Sequence, residues 1–97
     1  MSVNLCVLLW ATADGHAELV AYEDAALALL PDHGAQVLRR VRTHGQPTDQ
    51  PYEVHLLEFP SEEALDAYLQ DPRRLAFADQ RDRAIARTEI LRVDPAS

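Results

Sequence analysis

A run of seven apolar residues near the amino terminus, Leu-Cys-Val-Leu-Leu-Trp-Ala at positions 5–11, constrains the fold more than any other part of this sequence. The run has no alternation of polar and apolar residues, so a strand formed by it would be buried on both of its faces. It is too short to cross a membrane, which takes about 20 apolar residues. We therefore predict that residues 5–11 form a central strand of a small sheet.

The rest of the chain predicts helical segments and three more strands. Apolar residues recur at three- and four-residue spacing over 16–30, and again from about 61 to 86 with an interruption at Asp71-Pro72. The expected helix caps are Asp14, Ser61 and Asp71. The further strands are expected at 35–43, 52–59 and 88–93, with a loop at 44–51.

This order of elements, β-α-β-β-α-β, predicts a ferredoxin-like α+β fold in one domain that spans residues 1–97. Right-handed crossovers put both helical segments on one face of a four-stranded antiparallel sheet, with the first and third strands in the middle. The second strand has no cleanly apolar face, because Val37 and Val41 would share a face with Arg39 and Thr43. It is therefore expected at the edge of the sheet.

The central strand has more apolar surface than two helical segments can cover. Its alternate side chains point to opposite faces: Leu5, Val7 and Leu9 to one, and Cys6, Leu8 and Trp10 to the other. The uncovered set would form an apolar patch of several hundred Å², larger than soluble monomers usually expose. Hiding it is worth roughly 10 kcal/mol before the costs of association. We therefore expect a two-fold homodimer joined sheet to sheet.

Composition restricts the partners. The net charge is −7, from 16 acidic residues against nine arginines and no lysine, which argues against nucleic acid or an anionic membrane as a partner. The single cysteine, Cys6, lies within the apolar run and cannot form an internal disulfide. We expect it to be a small buried side chain of a protein in a reducing compartment, the cytoplasm.

Several stretches resemble one family. They are Tyr-Glu at 22–23, Leu-Pro-Asp-His-Gly-Ala at 30–35 with Arg40 after it, Glu-Phe-Pro-Ser-Glu-Glu-Ala-Leu-Asp-Ala-Tyr-Leu at 58–69, Asp71-Pro72 and Arg81. Together they cover nearly the whole chain and resemble the dimeric α+β barrel superfamily, in particular small members of unknown function whose third strand ends in a Phe-Pro-Ser turn. The resemblance implies the ferredoxin-like fold and the sheet-to-sheet dimer. The superfamily includes cofactor-free monooxygenases, isomerases, haem-dependent enzymes and many proteins without assigned activity, so it does not select a reaction.

Five residues are candidates for a site. His55 shares a strand face with Phe59. If that face packs against the helices, His55 could act as a general base. The alternative is that His55 is a core histidine with a hydrogen-bond partner. Arg40 could stabilise an anion or form an ion pair between subunits. Trp10 could be a stacking wall for a flat ligand or ordinary packing. Tyr22 and Phe77 are further candidates for substrate contact, with core packing as the alternative for Tyr22.

No motif indicates a metal or a cofactor. The four histidines lack ligand spacing, and the three glycines lie in predicted turns rather than in a phosphate-binding loop. Three functions stay open. The chain could be a small-molecule-binding barrel of unassigned activity, accessory to a metabolic pathway. It could instead be a cofactor-free monooxygenase or isomerase for a flat aromatic or polyketide-like, enolisable substrate, or a structural dimerisation module.

Overall fold

The computed structural model describes residues 2–44 and 49–96, and these form a four-stranded antiparallel sheet with helices packed on one face. The strands are β1 (Val3–Ala11), β2 (Gln36–Arg42), β3 (Glu53–Phe59) and β4 (Ile85–Val93). The helices are α1 (His16–Leu27), α2 (Glu62–Leu69), α3 (Pro72–Leu75) and α4 (Ala78–Ala84), with a 3-10 helix at Leu30–His33. The strand order is β2-β3-β1-β4, which confirms the predicted ferredoxin-like fold.

The apolar run forms the central strand β1, as predicted. It pairs with β3 on one side, where Val7 faces His55, and with β4 on the other, where Val7 faces Ile90. Burial alternates along it: Val3, Leu5, Val7 and Leu9 are buried beneath the helices, whereas the side chains between them are only partly buried. The helices therefore cover one face of the sheet, and the other, which we call the open face, lies bare in the single chain.

Apolar side chains cluster on the open face. Leu38, Val41, Leu56 and Leu91 are between 38% and 50% exposed there. Cys6 also lies on this face and is partly exposed, so the expectation that it is buried is wrong for the single chain. The reason is its position in β1, one residue out of phase with the side chains under the helices.

A bulge in β2 corrects the predicted facing of that strand. The pairing with β3 shifts between Val37 and Arg39, so that Leu38 is an extra residue. Val37 consequently faces Leu57 on the helix-covered side, whereas Val41 faces Val54 on the open face, and the prediction that the two valines share a face is wrong. The position of β2 at the sheet edge is confirmed.

The helix starts agree with two of the three predicted caps. Ser61 Oγ accepts a hydrogen bond from the Ala64 amide (3.1 Å), and Asp71 Oδ1 accepts one from the Arg73 amide (2.9 Å). At α1 the cap is Gly15 rather than Asp14, and no side chain caps the helix. The chain passes close to α4 there, since a Cβ on Gly15 would lie 2.7 Å from the carbonyl oxygen of Ala84.

The predicted ends of the helices also change. The first helix ends at Leu27 instead of residue 30, and Pro31 is the second residue of the 3-10 helix that follows. Gly34 closes that turn in the left-handed conformation, with φ of 70°. The second helical segment breaks around Phe77 into α3 and α4, and Ile85, predicted to be helical, is the first residue of β4 because it pairs with Ala11.

The predicted loop at 44–51 includes residues 45–48, which lie outside the described residues. Among the helices of the described ranges, none has the length and apolar character needed to span a membrane.

Candidate functional site

A cavity of about 370 Å³ lies between the helix-covered face of the sheet and the helices. Apolar side chains from β1, β3, β4, α1 and α2 form most of its wall. The polar side chains that reach it are Tyr22, Glu23, His55, Tyr68, Arg74, Arg81 and Thr88. Both the volume and the combination of an apolar wall with a few converging polar groups are typical of small-molecule sites.

His55 is part of the cavity wall that the sheet forms. It lies on the central strand β3, opposite Val7 of β1 and Arg40 of β2, and it is only 1% exposed. Its Nε2 lies 2.6 Å from Glu53 Oε1, and its Nδ1 lies 3.8 Å from Glu23 Oε1 of helix α1. The imidazole is thus placed between two carboxyl groups from different elements.

Glu53 is fully buried and, besides His55, contacts two arginines of β2. Arg40 Nε donates to its Oε1 (2.8 Å) and Arg42 Nε donates to its Oε2 (2.7 Å). Burial alone would raise the pKa of Glu53, but hydrogen bonds from His55, Arg40 and Arg42 lower it to about 2. Glu53 is therefore ionised at neutral pH and can only accept, so His55 Nε2 carries a proton and donates it to Glu53. The other ring nitrogen, Nδ1, is left on the side of Glu23.

Glu23 has a pKa that is displaced in the direction opposite to that of Glu53. Its side chain is buried in the cavity wall, and this burial raises its pKa, against the opposing effect of His55. The two carboxyl groups beside His55 thus have pKa values displaced in opposite directions. Paired titratable groups with this property are the usual components of acid–base sites.

Arg74 of α3 and Tyr68 of α2 form another part of the wall. The Arg74 guanidinium lies over the Tyr68 ring, 5.2 Å from its centroid, and the Tyr68 hydroxyl donates to the Ala26 carbonyl oxygen (3.1 Å). Burial raises the pKa of Tyr68 to about 12, and burial also raises that of Tyr22. Both phenols are therefore neutral hydrogen-bonding groups at physiological pH.

The structure brings only two of the five candidate residues, His55 and Tyr22, into the cavity. Arg40 lies outside it, since its guanidinium is held by Glu53 and by Asp24 Oδ1 (2.6 Å). These ion pairs are formed within one chain, in contrast to the intersubunit pair considered from the sequence. A direct role for Arg40 toward a cavity ligand is thus not favoured by its position.

Trp10 and Phe77 also lie away from the cavity. Trp10 occupies the open face because of its alternating position in β1; Arg87 lies over its ring at 4.4 Å, and its indole N–H donates to the Asp49 carbonyl oxygen (3.3 Å). Phe77 is the residue before α4, where the predicted continuous helix breaks. Neither side chain lines the cavity that contains His55.

The residues of the candidate site that the sequence-based prediction did not include are Glu23, Glu53, Tyr68, Arg74 and Arg81. Glu53 could have been found, because a residue two positions from His55 on a strand shares its face. Glu23 and Arg74 carry no such local signal, since their proximity to His55 depends on how the helices pack. In the described part of the chain, no three His, Cys, Asp or Glu side chains are placed to hold a metal ion.

No protein-family model and no curated protein matches this sequence. Solved structures do match. A protein of unknown function from Rhodopseudomonas palustris is 18% identical with a TM-score of 0.77, over 99% of this chain and 83% of that chain. A NIPSNAP-like domain protein from Burkholderia xenovorans is 15% identical with a TM-score of 0.76, over 99% and 86%.

A third structure is described as a dabb family protein with a ferredoxin-like fold, from Mesorhizobium loti. It is 17% identical with a TM-score of 0.69, over 99% of this chain and 98% of that chain. At these identities the likeness establishes the fold alone. It confirms the ferredoxin-like fold implied by the sequence resemblance, and these neighbours include small proteins of unknown function.

Proposed function

We propose that this protein binds a small molecule in the cavity between its sheet and its helices. The observation that carries the proposal is the cavity itself: about 370 Å³, with an apolar wall and polar groups that converge from β3, α1, α2 and α3. Aromatic rings of Tyr22, Phe59 and Tyr68 line it, which favours a ligand with a flat apolar body.

A pair of substitutions at Ile90 tests this proposal. Ile90 lines the cavity but is 53% exposed, so a change there alters the rim without disturbing the buried core. We expect flat aromatic compounds to bind with one molecule per chain by calorimetry. Ile90→Trp, which fills the rim, is expected to weaken binding by about tenfold or more, an effect of about 1.4 kcal/mol. Ile90→Ala, which widens the rim, serves as the matched control and should leave affinity within about threefold of the parent.

The proposal fails if no flat aromatic compound binds, or if Ile90→Trp binds such compounds as tightly as Ile90→Ala does.

We also propose that two copies of this chain associate through their open faces. The support is the apolar surface left bare in one chain, which includes a groove of about 400 Å³ lined by Cys6, Leu38, Leu56 and Val93. Soluble proteins usually cover a contiguous apolar area of this kind. A second copy provides a surface of matching character through a two-fold axis, which agrees with the sequence-based expectation.

A second candidate function, proton transfer by a cofactor-free enzyme, is favoured by the His55 arrangement. Glu53 fixes the proton on Nε2 and would stabilise the imidazolium that forms when Nδ1 accepts another proton. The substrate would lose a proton from a carbon next to a carbonyl group and become an enolate. This first step is common to the isomerase and to the monooxygenase, in which the enolate would go on to react with dioxygen.

Deuterium exchange measures that step directly. For a ketone or ketoacid bound in D₂O, we expect the protein to accelerate the exchange of the enolisable hydrogen for deuterium. NMR measures the rate of this exchange. His55→Gln should slow the exchange by about 100-fold or more while ligand binding is retained. His33→Gln is the matched control, because His33 also contacts a carboxylate, Asp71 (2.8 Å), yet lies outside the cavity. Equal loss in both variants, or exchange that survives in His55→Gln, would rule out His55 as the base.

A further inference from the structure

We propose that the ligand of the cavity carries a carboxylate or a similar oxyanion and that Arg74 binds it. This inference rests on the proposed binding function and adds the chemical class of the ligand. It starts from the arginines. Seven of the nine form an ion pair with a carboxylate of the described chain, namely Arg40, Arg42, Arg73, Arg81, Arg83, Arg87 and Arg92.

The other two differ in their surroundings. Arg39 lies on the edge strand β2 opposite Leu56, so it is on the other side of the sheet from the cavity and is exposed to water in the single chain. Arg74 lines the cavity and is partly buried, and no acidic side chain of the described residues pairs with it. In a chain with a net charge of −7, an arginine that lines an apolar cavity without a carboxylate at ion-pair distance requires an explanation; Glu23 lines the same cavity and interacts with the Arg74 charge only at longer range.

The hydrogen bonds of Arg74 are also incomplete. Nη1 donates to the Leu69 carbonyl oxygen at a long 3.3 Å, and Cζ of the guanidinium lies over the Tyr68 ring, 5.2 Å from its centroid. Nε is buried and has no acceptor among the described residues. A buried donor without an acceptor is unfavourable, so the protein gains stability if the Arg74 side chain shifts to let Nε donate to an acceptor in the cavity.

The chemistry of that acceptor follows from the geometry of arginine. Guanidinium donors form a planar fork that matches the two oxygens of a carboxylate. The Tyr68 ring and the apolar wall lie next to this fork, which suits a flat body attached to the acid group. Arg81 adds a second positive charge at the cavity wall, although it is exposed and has Asp82 at 3.5 Å. The nearby acid Glu23 opposes an anion less than an exposed glutamate would, because burial raises its pKa.

Calorimetry with matched pairs of ligands tests the inference. The probes are flat aromatic acids, each with its primary amide, such as 2-naphthoic acid and 2-naphthamide. We expect the acids to bind about 10- to 100-fold more tightly than their amides, in keeping with a charged hydrogen bond. Arg74→Gln should reduce the affinity for each acid to that for its amide and leave the amide unchanged. Arg74→Lys, which keeps the charge without the fork, should fall in between.

Arg83→Gln is the matched control, since it removes the same charge from an exposed residue of α4 that pairs with Glu18. It should bind acids as the parent does. Equal affinity for acids and amides, or acid binding that survives in both Arg74 variants, would overturn the role of Arg74 and leave the binding function intact. If neither acids nor amides bind, the binding function itself fails, and this inference fails with it.

Discussion

Leu56→Glu is expected to abolish the proposed association of two copies and to leave a monomer. Leu56 lies on the central strand β3, points to the open face and is 38% exposed in one chain. In a two-fold sheet-to-sheet pair, the substitution would place a carboxylate of each copy in an apolar interface, with Arg39 opposite it on β2. The cost of removing these charges from water, added to the loss of apolar contact, is expected to prevent association. Light scattering should give twice the mass of one chain for the parent and a single mass for the variant.

The matched control is Leu75→Glu. Leu75 is also a large exposed apolar residue, at 52%, but it lies in α3 rather than on the sheet. The same change of side chain should therefore leave the dimer intact. A parent protein that is monomeric, or a Leu56→Glu variant that stays dimeric, would contradict association through the open face.

Glu53→Gln is expected to lower the free energy of unfolding at neutral pH by about 2–4 kcal/mol. The glutamine has nearly the same size, so the core packing stays the same. It no longer carries the negative charge that His55, Arg40 and Arg42 share at 2.6–2.8 Å. The guanidinium groups would then lie beside a neutral amide. Urea denaturation at pH 7 measures the loss, and Glu63→Gln, at an exposed position of α2, should change stability by less than about 0.5 kcal/mol.

The same carboxylate predicts a dependence of stability on pH. The pKa of Glu53 falls from 4.5 to about 2 on folding, so below pH 5 the unfolded chain takes up this proton before the folded one does. The stability contributed by Glu53 is thus fully present above about pH 5 and is lost as the pH falls toward 2, by about 3 kcal/mol.

Urea titrations at a series of pH values should show this decline in the parent and a flatter curve in Glu53→Gln. Parallel curves for the two proteins would show that Glu53 ionises equally easily in the folded and the unfolded chain.

The fold was predictable from sequence because the strongest patterns in this chain are simple. An uninterrupted apolar run forced β1 to the centre, and the caps Ser61 and Asp71 marked two helix starts correctly. The errors arose where a contact distant in sequence decides the local structure. The bulge at Leu38 is defined by how β2 pairs with β3. At Gly15, the chain packs so closely against Ala84 that a side chain would not fit.

The candidate site was predictable only in its strand component. His55 is identified by its place on a central strand, and the face that it shares with Phe59 is indeed the one beneath the helices. Arg40 lies opposite His55 on the neighbouring strand, but its guanidinium forms an ion pair with Glu53. The position of Glu53, two residues before His55 on the same strand, could have indicated this pairing. Arg74 lies in α3, whose start at Asp71-Pro72 was predicted, whereas the end of α3 before Phe77 and the contact of Arg74 with the cavity were not.

The cavity and the open face lie on opposite sides of the same sheet. If two copies pair through their open faces, their cavities are set back to back, with two layers of strands between them. Each cavity would then fill without sensing the other, so uptake would follow a simple hyperbola rather than a cooperative curve. Association would serve to hold each cavity floor rigid, and a shared chamber between the copies would have no part in binding.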